Sequence, residues 1–91
     1  MKVEVLVFHV TRSRNKIDTF KLPWWYNYIR YQDHSTIDQN LSYPEYLDCI
    51  KGDLTENHNA NLIEINNPSE SLIWVNFTSY EDYMAFVLRW L

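Results

Sequence analysis

Asn61-Leu-Ile-Glu-Ile-Asn66, Asn67-Pro-Ser-Glu70 and Ser71-Leu-Ile-Trp-Val-Asn-Phe77 follow one another along the chain. The outer runs are rich in the β-branched and aromatic residues that fit a pleated, half-buried surface. The middle run is turn chemistry, with Asn and Ser able to bond their own backbone and Pro presetting φ. Together they predict a β-hairpin. Thr78-Ser79 comes next, with Glu81 three residues after the threonine and Asp82 three after the serine. Either hydroxyl can open a helix in a capping box, and the acids favour its positive end. From Tyr80 to Leu91 only Glu81, Ala85 and Arg89 form a polar stripe, so this helix is expected to be buried around most of its circumference.

Working outward, residues 2–11 (Lys-Val-Glu-Val-Leu-Val-Phe-His-Val-Thr) read as a strand. Strict alternation puts Val3, Val5, Val7 and His9 on one face and Leu6, Phe8 and Val10 on the other. Apolar residues on both faces predict a strand covered on two sides or nearly so. Residues 11–21 are polar and basic and read as a loop. Leu22-Pro23 opens a helix over about 23–32, with proline suited to the first helical position. Residues 33–42 read as a loop. Ser42-Tyr43-Pro44-Glu45 opens a second helix to about residue 51, with Gly52 as its stop. The Asn-rich residues 57–61 read as another loop. The order strand–helix–helix–strand–strand–helix predicts an α+β fold: a small sandwich with a mostly antiparallel sheet of three or more strands and helices on one face. Residues 1–91 read as a single domain.

Composition excludes several classes of function. Hydrophobic content of 46% with 22% charged residues argues against disorder. No run of ~18 apolar residues occurs, so no membrane span is expected. Glu4 within the first apolar stretch, and no small-residue cleavage site, argue against a secretory signal. Cys49 is the single cysteine, which suits a reducing cytoplasm. Gly52 is the single glycine, and one glycine cannot build a phosphate-cradling loop or a dinucleotide fingerprint. No cofactor is therefore expected. His9, His34, His58, Cys49 and Asp33 show no zinc-like spacing, so no metal is expected either. Phe, Tyr, Met, Ile, Asn and Lys outnumber Gly, Ala, Arg and Pro about threefold, the imprint of an AT-rich genome.

The segment Phe77-Thr-Ser-Tyr-Glu-Asp82-Tyr-Met-Ala-Phe86-Val-Leu88-Arg89-Trp90 has the form F-x-x-x-x-D-x-x-x-F-x-L-R-W. It resembles the ending of many small uncharacterised proteins of tailed bacteriophages, in which a strand runs into a terminal helix. The resemblance covers about fourteen residues. It implies a phage protein made in the cytoplasm of an infected bacterium, and it implies no activity. Within the pattern, Phe77 should end the strand, Asp82 support the helix start, Phe86 and Trp90 bury one face, and Arg89 satisfy terminal carbonyls.

Charge and rings point to binding. Residues 1–31 carry Lys2, Arg12, Arg14, Lys16, Lys21 and Arg30 against Glu4 and Asp18, a balance of +4, while residues 32–91 balance at −8. Fifteen aromatic rings are more than so short a chain can hide, and exposed rings serve interfaces and stacking platforms. Arg12, Arg14, Lys16 and Lys21 lead into Trp24, Trp25, Tyr28, Arg30 and Tyr31, and these nine residues form the candidate contact region. Two readings of its rings stand: an exposed surface, or a buried helix face at the spacing of Trp24, Tyr28 and Tyr31. The leading functional expectation is a non-enzymatic protein that binds a host protein and inhibits or redirects it. A single-stranded RNA- or DNA-binding module using the same residues is the alternative. A small ribonuclease using the histidines is a weaker one. Homodimerisation through an uncovered aromatic patch stays open.

Overall fold

The computed structural model describes residues 2–35 and 43–91, with the side chains of residues 33–35 outside the description. The elements are β1 (Val3–Ser13), β2 (Lys16–Lys21), α1 (Pro23–Ser35), α2 (Tyr43–His58), β3 (Ala60–Asn66), β4 (Glu70–Phe77) and α3 (Tyr80–Trp90). The four strands form one antiparallel sheet in the order β2-β1-β4-β3. The fold is α+β. Its sheet has a strand more than the six elements read from the sequence.

The extra strand is β2, and the expected loop at residues 11–21 is corrected to a second hairpin. Ser13 pairs with Lys16, so Arg14-Asn15 is a two-residue turn. Neither residue takes a positive φ and neither is glycine, so the usual hairpin signal is missing from the sequence. β2 is also exposed along its whole length, which removes the apolar alternation that would have marked it.

Between Leu6 and Phe8 the pairing of β1 with β4 shifts by a residue. An inserted residue turns every later side chain to the opposite face. Phe8 and Val10 therefore join Val3, Val5 and the buried Val7, whereas His9 joins Leu6, the reverse of the strict alternation read beyond residue 7. On the inner face Val7, Ile73, Val75, Phe77, Leu62 and Ala60 pack with Trp24, Trp25 and Tyr28 of α1, Ile50 and Leu54 of α2 and Phe86 of α3 in one buried cluster. Burying a side chain of this kind stabilises by ~1.5–3 kcal/mol, so this layer holds the fold.

The helices depart from expectation at their ends. α2 runs through Gly52, where a Cβ would meet nothing within 4 Å, and stops six residues later. The left-handed residue that ends it is Asn59, at φ 50°; asparagine tolerates this conformation better than most residues. Ser79 caps α3 and its Oγ accepts from the Asp82 amide at 3.2 Å. Thr78 instead donates its hydroxyl to the Asn59 carbonyl at 2.9 Å. α3 is less buried than expected, since Tyr80 and Leu88 are exposed and only Phe86 is sealed. The terminal carbonyl of Trp90 accepts from Asn27 Nδ2 at 2.9 Å, while the Arg89 guanidinium lies over the Trp90 ring.

The other face of the sheet has a layered pattern. Cross-strand neighbours form rows: Asn61–Asn76–Glu4, then Ile63–Trp74–Leu6, then Ile65–Leu72–His9–Phe20, then Glu70–Thr11–Asp18. Two apolar rows thus lie between two polar ones. None of their apolar side chains joins the core cluster, and Phe20, Ile63 and Ile65 are 47, 43 and 47% exposed. Among the described residues, no helix covers this face.

Candidate interaction surfaces

The nine residues of the candidate contact region separate into two groups. Trp24, Trp25 and Tyr28 are buried, at 7, 4 and 0% exposure, and leave the contact region. Their burial follows from helix geometry: residues four apart share a face, and α1 turns that face to the sheet. Trp24 meets Phe86 edge-on at 5.7 Å, and Tyr28 meets Phe86 and Trp90 at 4.9 and 5.4 Å. Tyr31 is corrected the other way from a buried helix face. It is 49% exposed, its ring 5.0 Å from Trp90 at the edge of the layer.

The basic residues stay outside. Every residue from Thr11 to Lys21 is exposed. The register of β1 with β4 ends at Thr11, so Arg12, Arg14 and Lys16 sit towards the tip of the β1–β2 hairpin, past the end of β4. The Arg12 guanidinium donates to Ser71 Oγ at 2.9 Å, and Lys16 lies 3.5 Å from Asp18. Lys21 and Arg30 flank the Tyr26 ring, at 4.2 and 5.6 Å from its centroid. Exposed basic side chains therefore stand at both ends of the hairpin, Arg12, Arg14 and Lys16 by its turn and Lys21, with Arg30, around the Tyr26 ring at the other end of β2. Tyr26 was not among the candidate residues; its place next to Lys21 depends on how α1 docks, which sequence spacing does not encode.

A groove of about 650 Å³ runs between the helices, lined among others by Tyr31, Cys49, Asp53, His58, Arg89 and Trp90. At its base Asp53 Oδ2 accepts from the Tyr28 hydroxyl at 2.5 Å and the Gln32 amide at 3.4 Å, and Oδ1 accepts from Asn57 at 2.8 Å. His58 Nε2 lies 3.5 Å from the same carboxylate. Burial and the adjacent carboxylate push the Tyr28 phenol far above its ordinary range. His58 ends α2 instead of lying in a loop, with its ring edge-on to Phe86 at 4.9 Å. Desolvation lowers its pKa, and Arg89 acts in the same direction against the opposing pull of Asp53. A carboxylate engaged this fully, beside a desolvated imidazole, is a part-buried polar network tying α1 to α2.

The other histidines stand apart from it in the fold. His9 is on the open sheet face, its Nε2 3.0 Å from Glu70 Oε2, whereas His58 packs within the helix layer. The two stand on opposite sides of the sheet, so His9 does not share a site with His58. His34 belongs to α1, not to a loop, and its side chain is outside the description. Among the described residues no cluster of three or more His, Cys, Asp or Glu comes together to hold a metal. No described helix is long and apolar enough to cross a membrane.

Comparison with family models, with curated proteins and with solved structures finds no match to this chain.

Proposed function

We propose that this is a non-enzymatic binding protein that grips an acidic surface of a host protein with its basic hairpin, and so inhibits or redirects that host protein. The observation that carries this reading is the exposed tip holding Arg12, Arg14 and Lys16, with Lys21 and Arg30 beside Tyr26. The rest of the chain is acidic, so the basic patch is where an acidic partner is attracted and the body is where it is repelled. Arginine and tyrosine, both present here, are residue types enriched among interface anchors. The setting is the one the C-terminal resemblance implies, the cytoplasm of a phage-infected bacterium.

A nucleic acid could use the same charge, but stacking needs free ring faces. Trp24, Trp25 and Tyr28 are buried, and the Tyr26 ring already carries Lys21 and Arg30. Three of the four candidate rings are thus lost to stacking, and Tyr31 leans on Trp90, which weakens the nucleic-acid reading. The test is affinity capture from nuclease-treated host lysate, comparing the wild type with an Arg12→Glu/Arg14→Glu variant. One host protein should be retained by the wild type and lost by the variant. If retention vanishes with nuclease treatment, and short single-stranded oligonucleotides bind with a steep salt slope, the nucleic-acid reading replaces this one.

A further inference from the structure

The groove between the helices lies apart from the basic hairpin tip. We infer that it is a binding site for a small zwitterion, a molecule with an ammonium group and a carboxylate, held between Glu56 and Arg89.

Space is the first observation. About 650 Å³ is within the ordinary range of small-molecule sites, and all three helices contribute to the lining. Gly52 stands on the wall, and the chain has no other glycine. Glycine weakens a helix interior relative to alanine, so its place within α2 needs a reason. The backbone supplies none, since Gly52 has no positive φ. Packing supplies none either, since a Cβ there would meet nothing within 4 Å. The remaining effect of glycine at this position is to keep the groove open, because side-chain atoms added to the wall would take up part of its volume.

Charge selects the occupant. Asp53, at the base, is already answered: it accepts from Tyr28, Gln32 and Asn57 and lies beside His58. Glu56 and Arg89 also line the groove, and both are exposed. Neither forms an ion pair or a side-chain hydrogen bond with a described residue, the other included. The Arg89 guanidinium lies over the Trp90 ring, 5.1 Å from its centroid, and a guanidinium held by its face keeps its N–H fork for a carboxylate. An anion alone would meet Glu56 and Asp53 unmatched, and a cation alone would meet Arg89. A molecule with both charges answers both sides. Tyr31 and Trp90, with ring centroids 5.0 Å apart, give its carbon chain an apolar wall.

The probes are ω-amino acids of rising length: glycine, 4-aminobutyrate and 6-aminohexanoate. Each is titrated into the isotope-labelled intact protein and followed by NMR. At least one should shift the Gly52 amide and the Trp90 indole N–H saturably, with a Kd of about 1 mM or tighter. Hexanoate and hexylamine, which carry one charge each, should bind at least about tenfold more weakly. Glu56→Gln and Arg89→Gln should each weaken the best probe to a similar degree, with an unchanged circular dichroism spectrum because both positions are exposed. Gly52→Leu should abolish binding while raising the urea midpoint, since leucine favours a helix. A glycine with a merely structural role would not join a firmer fold to a lost site. Shifts that fail to saturate with every probe overturn the proposal. So does equal binding of hexanoate or hexylamine, and so does binding that survives Gly52→Leu, which would place the probe elsewhere.

Discussion

The two faces of the sheet are built from the same strands and the same kinds of residue, yet they have different fates. Ile73, Val75 and Phe77 of β4 look towards the helices and are buried, while Leu72 and Trp74, which alternate with them along the strand, look away and are only partly buried. The difference lies in the connections. The chain leaves β2 at one edge, lays α1 and α2 across one side, and enters β3 at the other edge; α3 then packs on the same side. A face is a core only where something covers it. The apolar rows on the other side have no such cover among the described residues.

The sharpest way to break this comparison is to truncate one large ring on each face. Phe86→Ala, beneath the helices, should cost about 3–5 kcal/mol in urea unfolding, through lost burial and the cavity left behind. Trp74→Ala, on the open face, should cost the monomer less, about 2 kcal/mol, through its part-burial and its cross-strand pairs with Leu6 and Ile63. Equal losses at low protein concentration would mean that the open face is sealed as well.

Within the helix layer, Tyr28→Phe keeps the ring and removes the hydroxyl that donates to Asp53. It should cost about 1–3 kcal/mol in the same measurement, because a partly buried carboxylate loses its shortest bond. On the open face, Ile63→Lys should change monomer stability by no more than about 0.5 kcal/mol. The two results together set a polar contact on the covered side against an apolar one on the uncovered side.

The smallest expected effect is a pH dependence confined to the covered layer. The folded-state pKa of His58 lies below its ordinary 6.5, chiefly through desolvation, so the unfolded chain binds its proton first as pH falls. The resulting contribution is present above pH 6.5 and is lost as pH falls from there through the lowered folded value. Stability curves measured from pH 7.5 to pH 5 should be flatter over this window for His58→Gln than for the wild type. An identical slope in the variant would sink the assignment to His58. On the alkaline side, burial and Glu64 push the Tyr43 phenol up to about 12, so Tyr43→Phe should remove one late-titrating tyrosine from the absorbance curve at high pH.

The parts of the fold legible in the sequence are those whose signal is local. The β3–β4 hairpin has its turn residues in place, and Asn67 Oδ1 accepts from the amides of Ser69 and Glu70. The Ser79 cap and the inward side of α3 follow from neighbours three and four residues apart. β2 was hidden because an exposed edge strand needs no apolar alternation and its turn needs no glycine. The end of α2 was misplaced because glycine is the commoner left-handed residue and asparagine took that position. Of the candidate contact region, the charges were legible and the rings were not. Lysine and arginine stay outside almost regardless of fold, since burying an unpaired charge is so costly. A tryptophan goes wherever its helix face is turned.

Periodicity, turn chemistry and the scarcity of glycine and cysteine, all local or compositional properties, determined by themselves an α+β chain with a basic first third and no phosphate-cradling loop. Only the tertiary structure decided which face of the sheet the helices cover, and hence that Trp24, Trp25 and Tyr28 build the core while Phe20, Ile63 and Ile65 meet solvent. The physical reason is that an apolar side chain requires only to leave water, and which neighbours remove it is fixed by the path of the whole chain.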